Sequence, residues 1–138
     1  MPGWDEYKKT MVEPATLWSA AKRNDLAELR QLLADGSDID ARDHRGYSAL
    51  MLAAYHGHSE AFELLLERGA NPNSADLAGN SVLLGAAFKG HADMVGRLLA
   101  RGADVTAKNH AGMDAHGFAL MFGRTEIAAL FSASTLSY

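Results

Sequence analysis

The chain contains no cysteine. Disulfide bonds, cysteine-liganded zinc sites and cysteine nucleophiles are therefore excluded, and a reducing compartment is compatible with this, so we expect a cytoplasmic location. No run of about 18 apolar residues occurs, so the sequence predicts no membrane-spanning helix and no membrane partner. The first ten residues include acidic side chains and no apolar run, which is unlike a secretory signal peptide.

The sequence also lacks a strong bias of charge. It has 13 lysines and arginines against 17 aspartates and glutamates, a formal net charge of -4. Proteins that bind nucleic acid usually carry a basic stripe and a high isoelectric point, so this balance argues against nucleic acid as the partner. With 138 residues, 48% of them apolar, the composition is ordinary for one globular domain.

Sequence motifs for catalysis are absent as well. No glycine loop is followed by Lys-Ser/Thr, no Gly-x-Ser-x-Gly occurs, and the acidic residues are scattered. His56, His58 and Glu60 form the best local candidate for a metal site. A structural site needs three or four convergent ligands, and two histidines two positions apart are expected on different faces of a helix. We therefore predict no catalytic residue, no metal and no cofactor.

What the sequence does contain is a period of 33 residues, carried by glycines. The three sets are Gly36, Gly69 and Gly102; Gly46, Gly79 and Gly112; and Gly57, Gly90 and Gly123. Paired leucines follow the same frame at 32–33, 65–66 and 98–99. Such a fixed period predicts stacked structural repeats.

Each repeat has the pattern of two short helices. Leu50, Ala53 and Ala54 lie on one face of a helix, and residues 62, 65 and 66 repeat that spacing. Ser48, Ser81 and Asp114 precede the first helix of their units, where a side-chain oxygen can cap free amides. The second helices end at glycines, so we predict a positive φ at Gly69 and Gly102.

This unit of helix, turn, helix, loop and hairpin-like turn resembles the ankyrin repeat. The resemblance covers residues 13–138 and implies an all-α ankyrin repeat solenoid. We place its repeats at 13–45, 46–78, 79–111 and 112–138, and expect residues 1–12, with Trp4 and Tyr7 on one helical face, to form an N-terminal capping helix or arm. The family's Thr-Pro-Leu-His motif is altered here: Met51, Leu84 and Gly117 stand at the position of its loop-tying histidine. His58 and His91 occupy a Gly-His position that is structural in this family.

The resemblance also implies which positions form a concave surface, made by the turn tips and the first helices. We name as partner-binding residues on this concave surface Arg42, His44, Arg45, Tyr47, Tyr55, His56, Leu77, Asn80, Phe88, Lys89, Lys108, His110, Met113, Met121 and Phe122. Lys22 and Arg23 add to its basic side. No aspartate or glutamate is among these positions, although the whole chain is acidic, and large apolar side chains are frequent. A competing interpretation is that Met121 and Phe122 are buried by the C-terminal helix.

Two classes of function agree with these features. The first is a non-catalytic protein-protein interaction module, such as an adaptor, an inhibitor or an immunity-like protein, whose partner has an acidic and apolar surface. The alternative is a binder of nucleic acid or another anionic ligand that uses the basic concave stripe. A structural unit that self-associates through the apolar stripe is a third, weaker interpretation. We expect the chain to be monomeric alone.

Overall fold

The computed structural model describes residues 15–136, with side chains up to residue 132. Eight helices occur in this range: α1 Leu17–Arg23, α2 Leu26–Ala34, α3 Ala49–Tyr55, α4 Ser59–Glu67, α5 Val82–Lys89, α6 Ala92–Ala100, α7 Ala115–Met121 and α8 Thr125–Leu136. They form four helix pairs, in which the first helices contact one another in series along the chain, as do the second helices. The all-α solenoid is therefore confirmed. The predicted cap at residues 1–12 lies outside the described residues, and the exact repeat limits stay a prediction.

The first helices begin at the capping residues that the sequence predicted. The backbone N–H groups of Met51 and Leu84 donate to the Oγ atoms of Ser48 and Ser81, at 3.2 and 3.1 Å. Asp114 does the same in the last pair, since its Oδ1 accepts from the amide of residue 117 at 2.8 Å. Each cap satisfies an amide that has no partner within its helix.

Glycines end the second helices in the left-handed conformation. Gly69 has φ +91° and Gly102 has φ +77°, which confirms the prediction. A side chain in this region costs about 1–2 kcal/mol, so glycine is preferred there. In the short turn between α1 and α2, a non-glycine residue, Asn24, is left-handed, with φ 56°. The Oδ1 atom of Asn24 accepts a hydrogen bond from the amide of Ala61 in the second pair at 3.1 Å.

The interior lies between the two layers of helices. Phe62, Leu65, Leu98 and Phe131 from the second helices are fully buried, in one core cluster with small residues of the first helices. Met51 and Leu84, at the position of the family's loop-tying histidine, are buried too, so apolar packing occupies that place here.

Hydrogen bonds between neighbouring units hold the stack in register. The Nε2 of His58 donates to the carbonyl oxygen of Lys22 at 2.8 Å. Arg124 stands at the equivalent position of the last unit, and its guanidinium donates to the carbonyl oxygen of Phe88 at 3.1 and 3.3 Å. In the loops, Asp40 Oδ1 accepts from the amide of Asn71 at 2.8 Å. These contacts fix the relative positions of the side chains on the concave surface.

Candidate functional site

The turns before α3 and α5 are each organised by an aspartate. Asp43 Oδ1 accepts from the amides of Arg45 and Tyr47, both at 2.9 Å. Asp76 Oδ1 accepts from the amides of residues 78 and 80 at the same distance. Short polar side chains that bind amides two and four positions later fix a tight turn. The first of these turns places Arg45 and Tyr47 on the concave surface.

A cavity of about 460 Å³, which we call the basic cavity, lies at the centre of the concave surface. Its lining residues come from the first three helix pairs: Lys22, Arg45, Tyr47, Leu52, Tyr55, His56 and Lys89. Arg45 lies 5.3 Å from the centre of the Tyr47 ring, and Lys89 lies 5.6 Å from that of Tyr55. The two tyrosine rings meet edge to face at 6.0 Å. Both cations therefore rest on aromatic rings, which hold them in place.

Among the residues that the structure describes, no acidic side chain lines the basic cavity. Within residues 15–132, the ion pairs join Glu63 to Arg97 and Arg101 on the opposite face, at 3.0 and 3.6 Å. None of them involves Lys22, Arg45 or Lys89, so these three cations form no ion pair within the described residues. An anionic group that enters the basic cavity would meet three cations.

The Tyr55 hydroxyl is protonated at neutral pH. Burial first, and then the nearby Tyr47 and Asp76, raise the pKa of Tyr55 above its usual value of 10.0. The hydroxyl can therefore donate a hydrogen bond as well as accept one.

A second, smaller cavity of about 180 Å³ adjoins the basic cavity and shares Tyr55 with it. This apolar cavity is lined by Tyr55, Asn80, Leu84, Gly85, Phe88 and Phe118. Its space comes from Gly85, since the positions 33 residues before and after carry Leu52 and Phe118. A methyl group added at Gly85 would lie 3.8 Å from the Tyr55 ring, an ordinary contact distance.

Three phenylalanines form the C-terminal rim of the apolar cavity. Phe88 contacts Phe122 edge to face at 4.9 Å, and Phe118 lies 5.6 Å from Phe122 and 6.3 Å from Phe88. Phe88 is 37% exposed, Phe122 45% and Met121 62%. The interpretation that the C-terminal helix buries Met121 and Phe122 was therefore wrong, because both stay exposed although α8 packs against α7.

The structure brings about half of the predicted partner-binding residues together. Arg45, Tyr47, Tyr55, His56 and Lys89 line the basic cavity. Asn80 and Phe88 line the apolar cavity, and Phe122 contacts Phe88. The other residues are at least partly exposed but line neither cavity: Arg42, His44, Leu77, Lys108, His110, Met113 and Met121. Of these, Leu77 and His110 rest on Gly46 and Gly79 of the preceding turns.

Sequence reasoning missed Gly85 and Phe118 as parts of the site. Both lie one helical turn before predicted residues, Gly85 before Phe88 and Phe118 before Met121, and therefore on the same helix face. The signal was present in the repeat frame, where Leu52, Gly85 and Phe118 occupy one position with very different volumes.

The histidine pair differs from its prediction. The rings of His56 and His58 stack at 6.0 Å with an interplanar angle of 17°, although we expected them on different faces. The reason is that Tyr55 ends α3 and His58 precedes α4, so the pair spans a turn rather than one helix. Among the described residues, no group of three or more histidines, cysteines or acidic residues is arranged to hold a metal ion. Within the same residues, no helix is long and apolar enough to cross a membrane.

Comparison with known proteins gives one consistent result. A sequence profile described as ankyrin repeats (3 copies) matches residues 17–109, more than half of the chain. The human ankyrin repeat domain-containing protein 29 is 43% identical over 60 residues, which are 43% of this chain and 20% of that protein. A putative ankyrin repeat protein of Pseudomonas aeruginosa is 45% identical over 48 residues, 35% of this chain and 28% of that protein. The Bos taurus mitochondrial disaggregase is 38% identical over 59 residues, 43% of this chain but 9% of that protein.

Proposed function

Because this chain belongs to the ankyrin-repeat family, we propose that it is a non-catalytic module that binds another protein through its concave surface. Ankyrin repeats generally mediate protein-protein interaction. One observation carries the proposal: cations that form no ion pair among the described residues meet exposed aromatic rings on a single face, around Tyr55. Adaptor, inhibitor and immunity-like roles all use a surface of this kind, because each masks or bridges a partner.

The side chains on this surface are of the types that dominate binding energy. Aromatic residues, methionine and arginine are enriched at interfaces, and a few of them account for most of the affinity. Leu77, Phe88 and Met121 expose large apolar areas to solvent, which is costly unless a partner covers them. The partner surface that complements them is acidic and apolar.

A catalytic role receives no support from the site. A general base needs a pKa near the working pH, whereas burial moves that of Tyr55 further from neutrality. Ankyrin repeats are typically non-catalytic. The disaggregase shares only 9% of its length with this chain, so its named activity is not carried over.

The alternative is a nucleic-acid or other anionic ligand, favoured by the same cations. The net charge of -4 opposes long-range attraction to a polyanion. The dependence of affinity on salt concentration distinguishes a protein partner from a nucleic acid. Binding that neutralises phosphates makes the affinity fall steeply as salt increases.

The test starts with capture of the partner by the wild-type protein, followed by binding kinetics on variants. Tyr55→Ala combined with Phe88→Ala should abolish measurable binding, since truncating a hot-spot residue costs roughly 2 kcal/mol or more. Glu67→Ala is the matched control, because Glu67 is exposed on α4 away from the cavities. Full affinity in the double variant, with its helices intact by circular dichroism, would refute the concave-surface proposal.

We also propose a cytoplasmic location and a monomeric free state. The lack of cysteine supports the first. For the second, pairing two identical concave surfaces would bring the cations of one basic cavity close to those of the other, and contact between like charges is costly. Cell fractionation tests the location, and recovery of the chain in another compartment would contradict it. Sedimentation equilibrium tests the free state, and a dimer at micromolar concentration would contradict a monomer.

A further inference from the structure

We propose that the concave surface recognises two neighbouring side chains of its partner, a carboxylate in the basic cavity and a large apolar side chain in the apolar cavity. The inference rests on the proposed function, because it specifies the partner's chemistry at the same surface.

The basic cavity is suited to a carboxylate by its charge and its preorganisation. Lys22, Arg45 and Lys89 approach it from α1, from the turn before α3 and from the end of α5, and form no ion pair among the described residues. Ammonium and guanidinium groups form strong charge-assisted hydrogen bonds to carboxylates. Since Arg45 and Lys89 already rest on tyrosine rings, less side-chain freedom is lost when the anion binds.

The apolar cavity has the size and walls for one large apolar side chain. Its volume is about 180 Å³, and an apolar cavity of about 150 Å³ is enough to hold a benzene ring. Leu84, Phe88 and Phe118 provide apolar walls, and Gly85 leaves open the space that a side chain fills in α3 and α7. A leucine or phenylalanine of the partner would replace that missing side chain.

Tyr55 makes the two cavities a single recognition unit. It lines both, so the carboxylate and the apolar group must be close neighbours on the partner. Its protonated hydroxyl can donate to the carboxylate while its ring contacts the apolar group. This combination favours a protein segment, in which Asp or Glu stands beside Leu or Phe, over a uniform row of phosphates.

The test is a selection of random 12-residue peptides displayed on phage, with the full chain immobilised as wild type and as variants. Wild type should enrich peptides that place Asp or Glu beside a large apolar residue. The charge-reversed variant, Arg45→Glu with Lys89→Glu, should enrich Lys or Arg instead of the acid. Gly85→Leu should still enrich peptides with Asp or Glu but should no longer prefer a neighbouring apolar residue. It should bind the peptides selected on wild type with an affinity reduced roughly tenfold or more.

Gly96→Leu is the matched control for Gly85→Leu. Gly96 is also helical, lies in α6 and has open space around it, so its substitution should leave the selected peptides unchanged. Gly85→Ala is the second variant if Gly85→Leu does not fold, because the added methyl group fits beside Tyr55. Circular dichroism and thermal unfolding confirm the fold of each variant.

Three results would overturn the inference: no enriched peptide, enriched peptides without an acid, or the same peptides on wild type and on the charge-reversed variant. A fluorescein-labelled 20-nucleotide single strand that binds wild type more tightly than the peptides would overturn it in favour of nucleic acid. The double variant Tyr55→Ala with Phe88→Ala distinguishes failure of the two-cavity inference from failure of the proposed function. If this variant loses all peptides while the charge-reversed and Gly85→Leu variants keep the wild-type peptides, the two-cavity inference fails and the proposed function stands. Peptides that still bind it contradict the proposed function itself.

Discussion

Two columns of residues, each spaced by 33 positions, run side by side along the first helices. The inner column is Ala20, Ala53, Ala86 and Ala119, and all four are buried. The outer column, on the concave surface, is Lys22, Tyr55, Phe88 and Met121. Only a small residue fits where helices stack closely, whereas the outer positions face solvent and any side chain can occupy them. The 33-residue repeat thus keeps the same residue, alanine, at the inner position of every unit. The outer position varies from unit to unit and is basic in the first helix and apolar in the last.

This difference assigns separate roles to the two regions. Substitutions in the interior and in the turns should change the free energy of unfolding and leave the affinity of folded molecules unchanged. Substitutions on the concave surface should do the opposite. The variants below test whether the two regions can be separated in this way.

The largest effect is expected in the interior, from Phe62→Ala. Phe62 is fully buried in α4, and its truncation leaves a cavity that costs about 3–5 kcal/mol. Urea unfolding followed by circular dichroism measures the loss. Glu67→Ala, on the exposed side of the same helix, should change stability by less than about 0.5 kcal/mol. Equal losses in the two variants would mean that burial in α4 does not determine stability.

A smaller loss of stability is expected from a substitution in a turn, Gly69→Val. Gly69 has φ +91° and nothing within 4 Å of an added Cβ, so the cost comes from the backbone alone. A β-branched residue in this conformation costs about 1–2 kcal/mol or more and should lower the melting temperature. An unchanged melting temperature would show that α4 does not need a left-handed residue at its end.

On the concave surface, Arg45→Glu with Lys89→Glu should slow association about tenfold at low salt and flatten its salt dependence. Reversing exposed positive charges removes the electrostatic attraction that steers an acidic partner, and this acts on the rate of encounter. Stability should stay within about 0.5 kcal/mol of wild type, since both residues are exposed. Surface-binding kinetics at several salt concentrations, with the captured partner, measure the effect; an unchanged association rate would contradict a steering role.

The smallest effect, and one of opposite sign, is expected from Gly96→Ala. Gly96 lies inside α6 with free space around it, so alanine should stabilise the helix by about 0.5–1 kcal/mol. Its affinity for the partner should equal that of wild type. A change in affinity would mean that the second helices also take part in binding.

The fold was predictable because its signals are local and repeated. A positive φ at Gly69 or a cap at Ser81 depends on a few neighbouring residues, so sequence spacing revealed both. The apolar cavity was not predictable in this way, because a cavity depends on what surrounds Gly85 in neighbouring helices. The ion pair between Glu63 and Arg97 likewise joins residues 34 positions apart, and only the stacked structure brings them to 3.0 Å.

The most direct measurement is to map the bound partner by NMR, using amide and methyl chemical-shift changes in the isotope-labelled chain. We expect the largest changes at Tyr47, Tyr55, Gly85 and Phe88, which surround the two cavities. Residues on the second helices, such as Glu67 and Gly96, should show little change. The largest shifts on α4 and α6, with the cavity residues unaffected, would contradict binding through the concave surface.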